Sequence, residues 1–327
     1  MLKFAVSLDG CANVHRLPAD VHFKLTRDFA ALNCVIKFNY SDMEKTIKLN
    51  NGVEMPLVGY GVFQVDPAEC ERCVSDALAV GYRSIDTAQA YFNEEGVGNA
   101  WRKSGIARGD LFLTTKVWVS NFEGKKASES IDTSLRKLQT DYIDLLLIHQ
   151  CFGDYYNAYR AMEDALKAGK VRAIGVSNFY YDRFVDIAEM MDVKPAVNQI
   201  EVNVFAQQKP MQELCAKYGT RLMAWGPFAE GMYGFFTNPM LTEIGEKYGK
   251  TPAQVGLRYL VQHDIIVIPK SVHKERMEQN FDIMDFELSA EDMNAISALD
   301  LGHGVVVNFE DPMQRVSLFD IINKYKV

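Results

Sequence analysis

Four polar side chains stand at comparable places in the chain. Asp86 follows Ser84 and Ile85, Tyr91 comes five residues later in DTAQAYFNEE, Lys116 closes LFLTTK and His149 closes IDLLLIH. Short apolar runs of this kind read as strands. Each residue then sits where a strand hands over to the next segment, the edge at which parallel α/β folds carry their chemistry. A free phenol has a pKa near 10, so proton donation at neutral pH calls for an ammonium nearby. That ammonium calls in turn for a carboxylate to hold it charged and oriented. Taken singly these are a loop tyrosine, a surface lysine, a capping aspartate and a core histidine; only as a set do they point to catalysis.

The elements that position them are read from period and punctuation. A strand pattern over 46–49, an Asn50-Asn51-Gly52 turn and a second run over 53–58 predict a β-hairpin. Asp66-Pro67-Ala68-Glu69 supplies an N-cap, a first-position proline and an acid, opening a helix that runs to Val80 and ends at Gly81. Strands follow over 84–86, 111–117, 143–149, 171–176, 196–201, 221–224 and 265–268. Helices alternate with them over 94–104, 125–138, 158–168, 181–191, 209–218 and 252–262, with a last one from 274. Counting 58–61 as the first strand gives eight βα units in about 250 residues, which predicts a (β/α)8 TIM barrel. Two further helices, 238–247 and 289–299, lie outside the eightfold count, the second opened by a capping-box pattern at Ser289 and Asp292. Residues 1–42 carry no clear period and read as an appended extension, with the folded barrel spanning 43–327.

Composition narrows the partners. The 327 residues are 48% hydrophobic and 24% charged, with a net charge of -8, which disfavours nucleic acid. No apolar run approaches the roughly 20 residues of a membrane span, and the start lacks the features of a signal peptide. A cytoplasmic monomer acting on a small molecule is expected. The six cysteines show no disulfide spacing; Cys70 and Cys73 form a CxxC inside a helix with no second pair, and no metal site is expected.

From residue 43 onward the chain resembles the aldo-keto reductases. The resemblance rests on GYGVFQ from Gly59, DTAQAYFNEE from Asp86, TKVW from Thr115, DLLLIH from Asp144, GVSNF from Gly175, NQIE from Asn198 and IPKSVHKERMEQN from Ile268. Gln150 and the AWGPFAEG run from Ala224 are similar to bacterial members acting on small aldehydes, keto-aldehydes and keto-sugar acids, the glyoxal and 2,5-diketo-gluconate reductases. The resemblance implies reduction of a carbonyl by hydride transfer, with Asp86, Tyr91, Lys116 and His149 as the catalytic set. In that set Tyr91 is the acid and His149 the hydrogen-bond donor to the substrate oxygen. Phe63 and Trp118 join Tyr91 and His149 as substrate contacts.

No GxGxxG follows a strand, so a nicotinamide cofactor is not held in the Rossmann manner. By resemblance Gly61, Val62, Asp86, Ser177, Asn178 and Gln199 contact its nicotinamide half and Trp225 stacks on the ring. The run from Lys270 opens a helix with an ammonium, a hydroxyl and a guanidinium, a set suited to one anion. The family match makes that anion the adenosine 2′-phosphate of NADPH, met by Lys270, Ser271, Val272 and Arg276, with Gln279 and Asn280 at the adenine. A phosphorylated substrate is the alternative for the same loop.

Some positions depart from the family pattern. Val62 stands where threonine is common, Phe63 where tryptophan is, and Cys151 where proline is. The C-terminal loop is short and shows no large apolar wall, which favours small polar substrates. Two other readings stay open: a barrel lyase with a Lys116 Schiff base, and a non-catalytic nicotinamide-sensing subunit.

Overall fold

The computed structural model describes residues 46–324 and 327. The extension over 1–42 and the boundary at Met43 lie outside the described residues. A hairpin comes first, β1 (Thr46–Lys48) paired antiparallel with β2 (Glu54–Pro56), and Leu49 and Val53 close its turn through a 2.9 Å backbone bond. Asn51 Nδ2 donates to Arg172 O at 2.9 Å, Asn50 Nδ2 to Pro195 O at 3.1 Å and Arg221 Nε to Lys48 O at 3.2 Å. Those three partners all lie where barrel strands begin, so the hairpin covers the end of the barrel opposite the strand C-termini.

Eight parallel strands follow: β3 (Tyr60–Gly61), β4 (Ser84–Asp86), β5 (Phe112–Val117), β6 (Ile143–Ile148), β7 (Val171–Ser177), β8 (Val197–Glu201), β9 (Arg221–Trp225) and β10 (Ile266–Val267). Each pairs with the next in chain order, as βα repetition requires. The barrel closes where Val58 bridges Val267: Gly59 N donates to Val267 O at 2.8 Å and Val267 N to Leu57 O at 2.9 Å. β5 and β6 are buried along their whole length, because one face meets the barrel interior and the other the helices.

The helices are α1 (Pro67–Val80), α2 (Glu94–Ser104), α3 (Lys126–Lys137), α4 (Tyr155–Lys167), α5 (Tyr181–Met190), α6 (Lys209–Lys217), α7 (Pro239–Tyr248), α8 (Pro252–Gln262), α9 (Lys274–Phe281), α10 (Ala290–Ser297) and α11 (Pro312–Lys324). Asp66 caps α1 by accepting from Ala68 N at 2.9 Å. The structure departs from the sequence reading in three helices. α4 starts three residues earlier than expected because Asp154 Oδ1 accepts from Asn157 N. At α10 only half of the expected capping box forms: Ser289 Oγ accepts from Asp292 N, but the Asp292 carboxylate turns to Lys247 and Tyr248, each at 2.6 Å. A complete capping box stands instead at Thr251 and Gln254, opening α8. α11 has no counterpart in the sequence reading, and it lies over the C-terminal ends of the strands.

Candidate active site

β4 ends at Asp86 and β5 carries Lys116 one position from its end, so both side chains are delivered to the same rim of the barrel. Lys116 is fully buried, and its ammonium donates to Asp86 Oδ1 at 2.6 Å, Thr87 O at 2.9 Å and Tyr91 Oη at 3.3 Å. The other Asp86 oxygen accepts from Gln199 Nε2 at 2.8 Å. A 3₁₀ turn over Gln89–Tyr91 places the phenol, and Phe92 ends that turn in the left-handed region at φ 57°. His149 continues β6, its amide bonded to Val117 O at 3.1 Å, and its ring centroid lies 5.4 Å from that of Tyr91 and 4.9 Å from that of Trp118. The four expected residues therefore meet.

Burial fixes their protonation. It drives the Lys116 pKa down, but Asp86 and Tyr91 more than offset this and the net shift is upward, leaving an ammonium. Burial pushes Tyr91 up, and Lys116 reverses only part of the rise, so the phenol keeps its proton at neutral pH. His149 is held well below its ordinary value by burial and by the Lys116 charge, hence neutral. Its Nδ1 is buried without a partner among the described residues. A proton there would be an unsatisfied buried donor, so the stable tautomer carries it on Nε2. Because the ammonium donates to the phenol oxygen, the phenolic hydrogen is left for another acceptor.

Asp86, Tyr91 and His149 line a cavity of about 970 Å³, with Lys116 buried behind them, and the cavity also receives Gly61, Phe63, Ser177, Asn178, Gln199, Trp225 and Lys270. Trp225 Nε1 donates to Asn178 Oδ1 at 2.9 Å, and Asn178 Nδ2 donates to His149 O at 3.1 Å, tying one wall to the rim. Ser177 Oγ donates to Gln199 O at 2.9 Å. Gly61 has a physical reason to lack a side chain: an added Cβ would lie 2.9 Å from Ile268 O. The structure does not bring Val62 to the cavity. Its side chain is fully buried, its amide donates to Asp86 O and its carbonyl accepts from Asn93 and Val65. Ser271, Val272, Arg276, Gln279 and Asn280 continue from Lys270 into α9, outside the cavity lining. Ser271 Oγ accepts from His273 N at 3.1 Å, and Asn280 is buried. Lys270 and Arg276 are exposed cations with no ion pair or side-chain hydrogen bond among the described residues.

Three supporting residues escaped the sequence reading. Gln89 Oε1 accepts from Trp118 N and Asn121 Nδ2, both at 2.9 Å, and so fixes the tryptophan loop. Asn93 ties that motif to Val62 O, and Glu201 holds the C-terminal strap through the amides of Val305, Val306 and Val307. The first two were visible only as polar residues inside the DTAQAYFNEE motif. The C-terminal segment and α11 add an apolar lining that was not read from the sequence, Phe309, Leu318, Ile321 and Ile322. Cys151 is buried beside this site, and burial raises its thiol, so it is poorly reactive.

The aldo/keto reductase family model matches residues 57–301. Glyoxal reductase of Bacillus subtilis (strain 168) is 45% identical over 261 residues, covering 79% of this chain and 94% of that protein. Among solved structures, an aldo/keto reductase from Brucella melitensis superposes with a TM-score of 0.76 at 42% identity, covering 79% of this chain and all of that one. A Bombyx mori aldo-keto reductase in complex with NADP gives 0.75 at 35% identity, covering 80% and 95%. With strand order, rim residues and these likenesses in agreement, the chain belongs to the aldo/keto reductase family.

Proposed function

We propose that the protein is an NADPH-dependent reductase of small aldehydes and ketones, with Tyr91 as the proton donor. The observation that carries this reading is the hydrogen-bonded chain Gln199–Asp86–Lys116–Tyr91 opening onto a cavity beside neutral His149. NADP, with which the Bombyx mori relative forms its complex, suits the residues present here. Trp225 offers a flat face in the cavity, Ser177, Asn178 and Gln199 offer amide and hydroxyl groups, and Lys270 before α9 and Arg276 in its first turn are cations without an ion pair among the described residues. When bound in its reduced form, the cofactor supplies the hydride.

The chain's own residues do the rest. His149 Nε2–H and the Tyr91 hydroxyl orient one carbonyl oxygen between them. As charge develops on that oxygen, Tyr91 transfers its proton, and the Lys116 ammonium, held by Asp86 and Thr87 O, stabilises the phenolate left behind. Asp86, Lys116 and His149 are buried and Tyr91 partly so, and charges so shielded interact more strongly than in water.

Tyr91→Phe tests this. The ring and its packing on Phe63 (centroids 5.0 Å apart) stay while the acid goes. Turnover of NADPH with a small aldehyde should fall about a hundredfold or more, with the NADPH dissociation constant within about twofold of wild type. Near wild-type turnover would remove Tyr91 from the role.

A further inference from the structure

The turn between β10 and α9 is held from behind by side chains of neighbouring elements. Tyr60 of β3 donates its hydroxyl to Ser271 O at 2.5 Å, Arg72 of α1 donates to Val272 O at 3.5 Å, and Tyr82 ahead of β4 donates to Met277 O at 3.0 Å. Both tyrosines are buried, and their rings lie 5.7 Å apart. Burial raises both phenols, so they stay protonated donors across the neutral range. These bonds differ in what they hold. Met277 O lies inside α9, where helix geometry already gives a carbonyl a backbone partner one turn on. Ser271 O lies in the irregular turn, and Tyr60 is its only donor among the described residues.

A peptide unit is planar and trans, so the carbonyl of one residue and the amide of the next point in opposite directions. With Ser271 O drawn inward to Tyr60, the Val272 N–H faces away from that buried hydroxyl. It donates to no described residue, whereas the next amide, His273 N, is committed to Ser271 Oγ at 3.1 Å. In the chain this free donor stands between Lys270 and Arg276, both exposed. We propose that Tyr60 is a positioning residue for cofactor choice: by fixing the Ser271–Val272 peptide, its hydroxyl aims the Val272 amide at the 2′-phosphate that separates NADPH from NADH. The inference rests on the NADPH reading and adds to it a residue outside the cavity lining. Without the hydroxyl, Ser271 O is a buried acceptor with no partner. Turning the peptide over to find one carries the Val272 amide away from the phosphate. NADH has no group at that place, so its binding is indifferent to the turn.

Dissociation constants for NADPH and NADH, read from quenching of tryptophan fluorescence in the full chain, test this. Tyr60→Phe keeps the ring beside Tyr82 and removes only the hydroxyl. It should weaken NADPH about tenfold and leave NADH within about twofold. Tyr82→Phe removes an equally buried hydroxyl behind the same helix, and should lower Tm while keeping the ratio of the two constants within about twofold. Arg276→Ala reports on the phosphate reading itself. If it leaves the ratio unchanged, or if wild type binds NADPH no better than NADH, that reading falls and this inference with it. If Arg276→Ala lowers the NADPH preference and Tyr60→Phe does not, or if both tyrosine variants lower it alike, Tyr60 only packs and this inference alone is removed. A measurement on wild type reaches the same amide without any variant. Saturating NADPH should slow hydrogen exchange at the Val272 amide more than saturating NADH does, and equal protection by both would overturn the inference.

Discussion

Tyr91 and Lys116 show how one side chain sets the chemistry of another. Burial alone pushes the phenol up and the ammonium down; their contact at 3.3 Å, with Asp86 behind, keeps the lysine charged. The sequence argument that a lysine makes tyrosine a better acid at neutral pH holds for the lysine's own contribution. The net shift of Tyr91 is nevertheless upward, so the phenol is a reserve of protons over the whole neutral range. It follows that the reductive kcat should be level between about pH 6 and about pH 9, because neither Tyr91 nor neutral His149 titrates there. A bell with an inflection near pH 7 would contradict the assigned protonation states. His149 also has a linkage consequence. The unfolded chain's histidine takes up a proton near pH 6.5 while the folded one, held lower, does not, so stability is lost as pH falls through about 6.5. Lys116 works in the opposite sense: its raised value gives stability fully present below about pH 10.5 and lost as pH rises further. Urea titrations across this range read both.

Two elements frame the cavity, and they differ in how readable they were. The turn from β10 into α9 was legible as a helix start, and its lysine, serine and arginine are the set expected of an anion site. Arg276→Ala should raise the NADPH dissociation constant about tenfold while barely moving that for NADH, which lacks the 2′-phosphate. Equal weakening of both would show that Arg276 does not read that phosphate. The C-terminal strap was not legible. Its anchor is Glu201 at the end of β8, fully buried, whose carboxylate accepts from the amides of Val305 (2.9 Å), Val306 (3.0 Å) and Val307 (3.1 Å) and from Asn203 Nδ2 (3.2 Å). Gly304 allows that approach, since a Cβ there would lie 2.3 Å from Val307 O and 3.1 Å from Glu201 Oε2. These bonds join residues about a hundred positions apart, and no local period records them. Burial raises the Glu201 pKa against the pull of those amides, so replacing the side chain leaves their donors unpaired. Glu201→Ala should cost about 3 kcal/mol and free the strap to early proteolysis near 304. An unchanged Tm and cleavage pattern would show that the strap is held by its apolar contacts alone.

At the scale of the molecule, the alternation of apolar runs and capped helices was enough to give the barrel. Runs such as Ile143–Ile148 are buried on both faces, and caps such as Asp66 and Thr251 act locally. What the sequence hid were contacts between distant segments: the hairpin's bonds to Arg172 and Pro195, the closure of Val58 on Val267, and α11. α11 carries Met313, Val316, Phe319 and Ile321 largely exposed, so its apolar residues do not follow one stripe and give no helical period to read. The hairpin that covers the strand starts begins at Thr46, and the eight strands and their helices all follow it. A chain beginning at Met43 should therefore fold and turn over like the full one, and insolubility or a marked loss of activity would show that the barrel needs residues 1–42.

The central claim is that this barrel brings a nicotinamide hydride to a carbonyl carbon while Tyr91 protonates the oxygen. Its most direct test uses NADPH deuterated at the transferring position, an aldehyde and the full chain, with mass and NMR analysis of the alcohol. The account predicts one deuterium on the former carbonyl carbon, with Tyr91→Phe forming that alcohol only at its residual rate. Aldehyde consumed without deuterium transfer, with Lys116 trapped by borohydride, would point to Schiff-base chemistry instead. No alcohol at all would leave a nicotinamide-binding protein without the reaction, and either result would contradict the account.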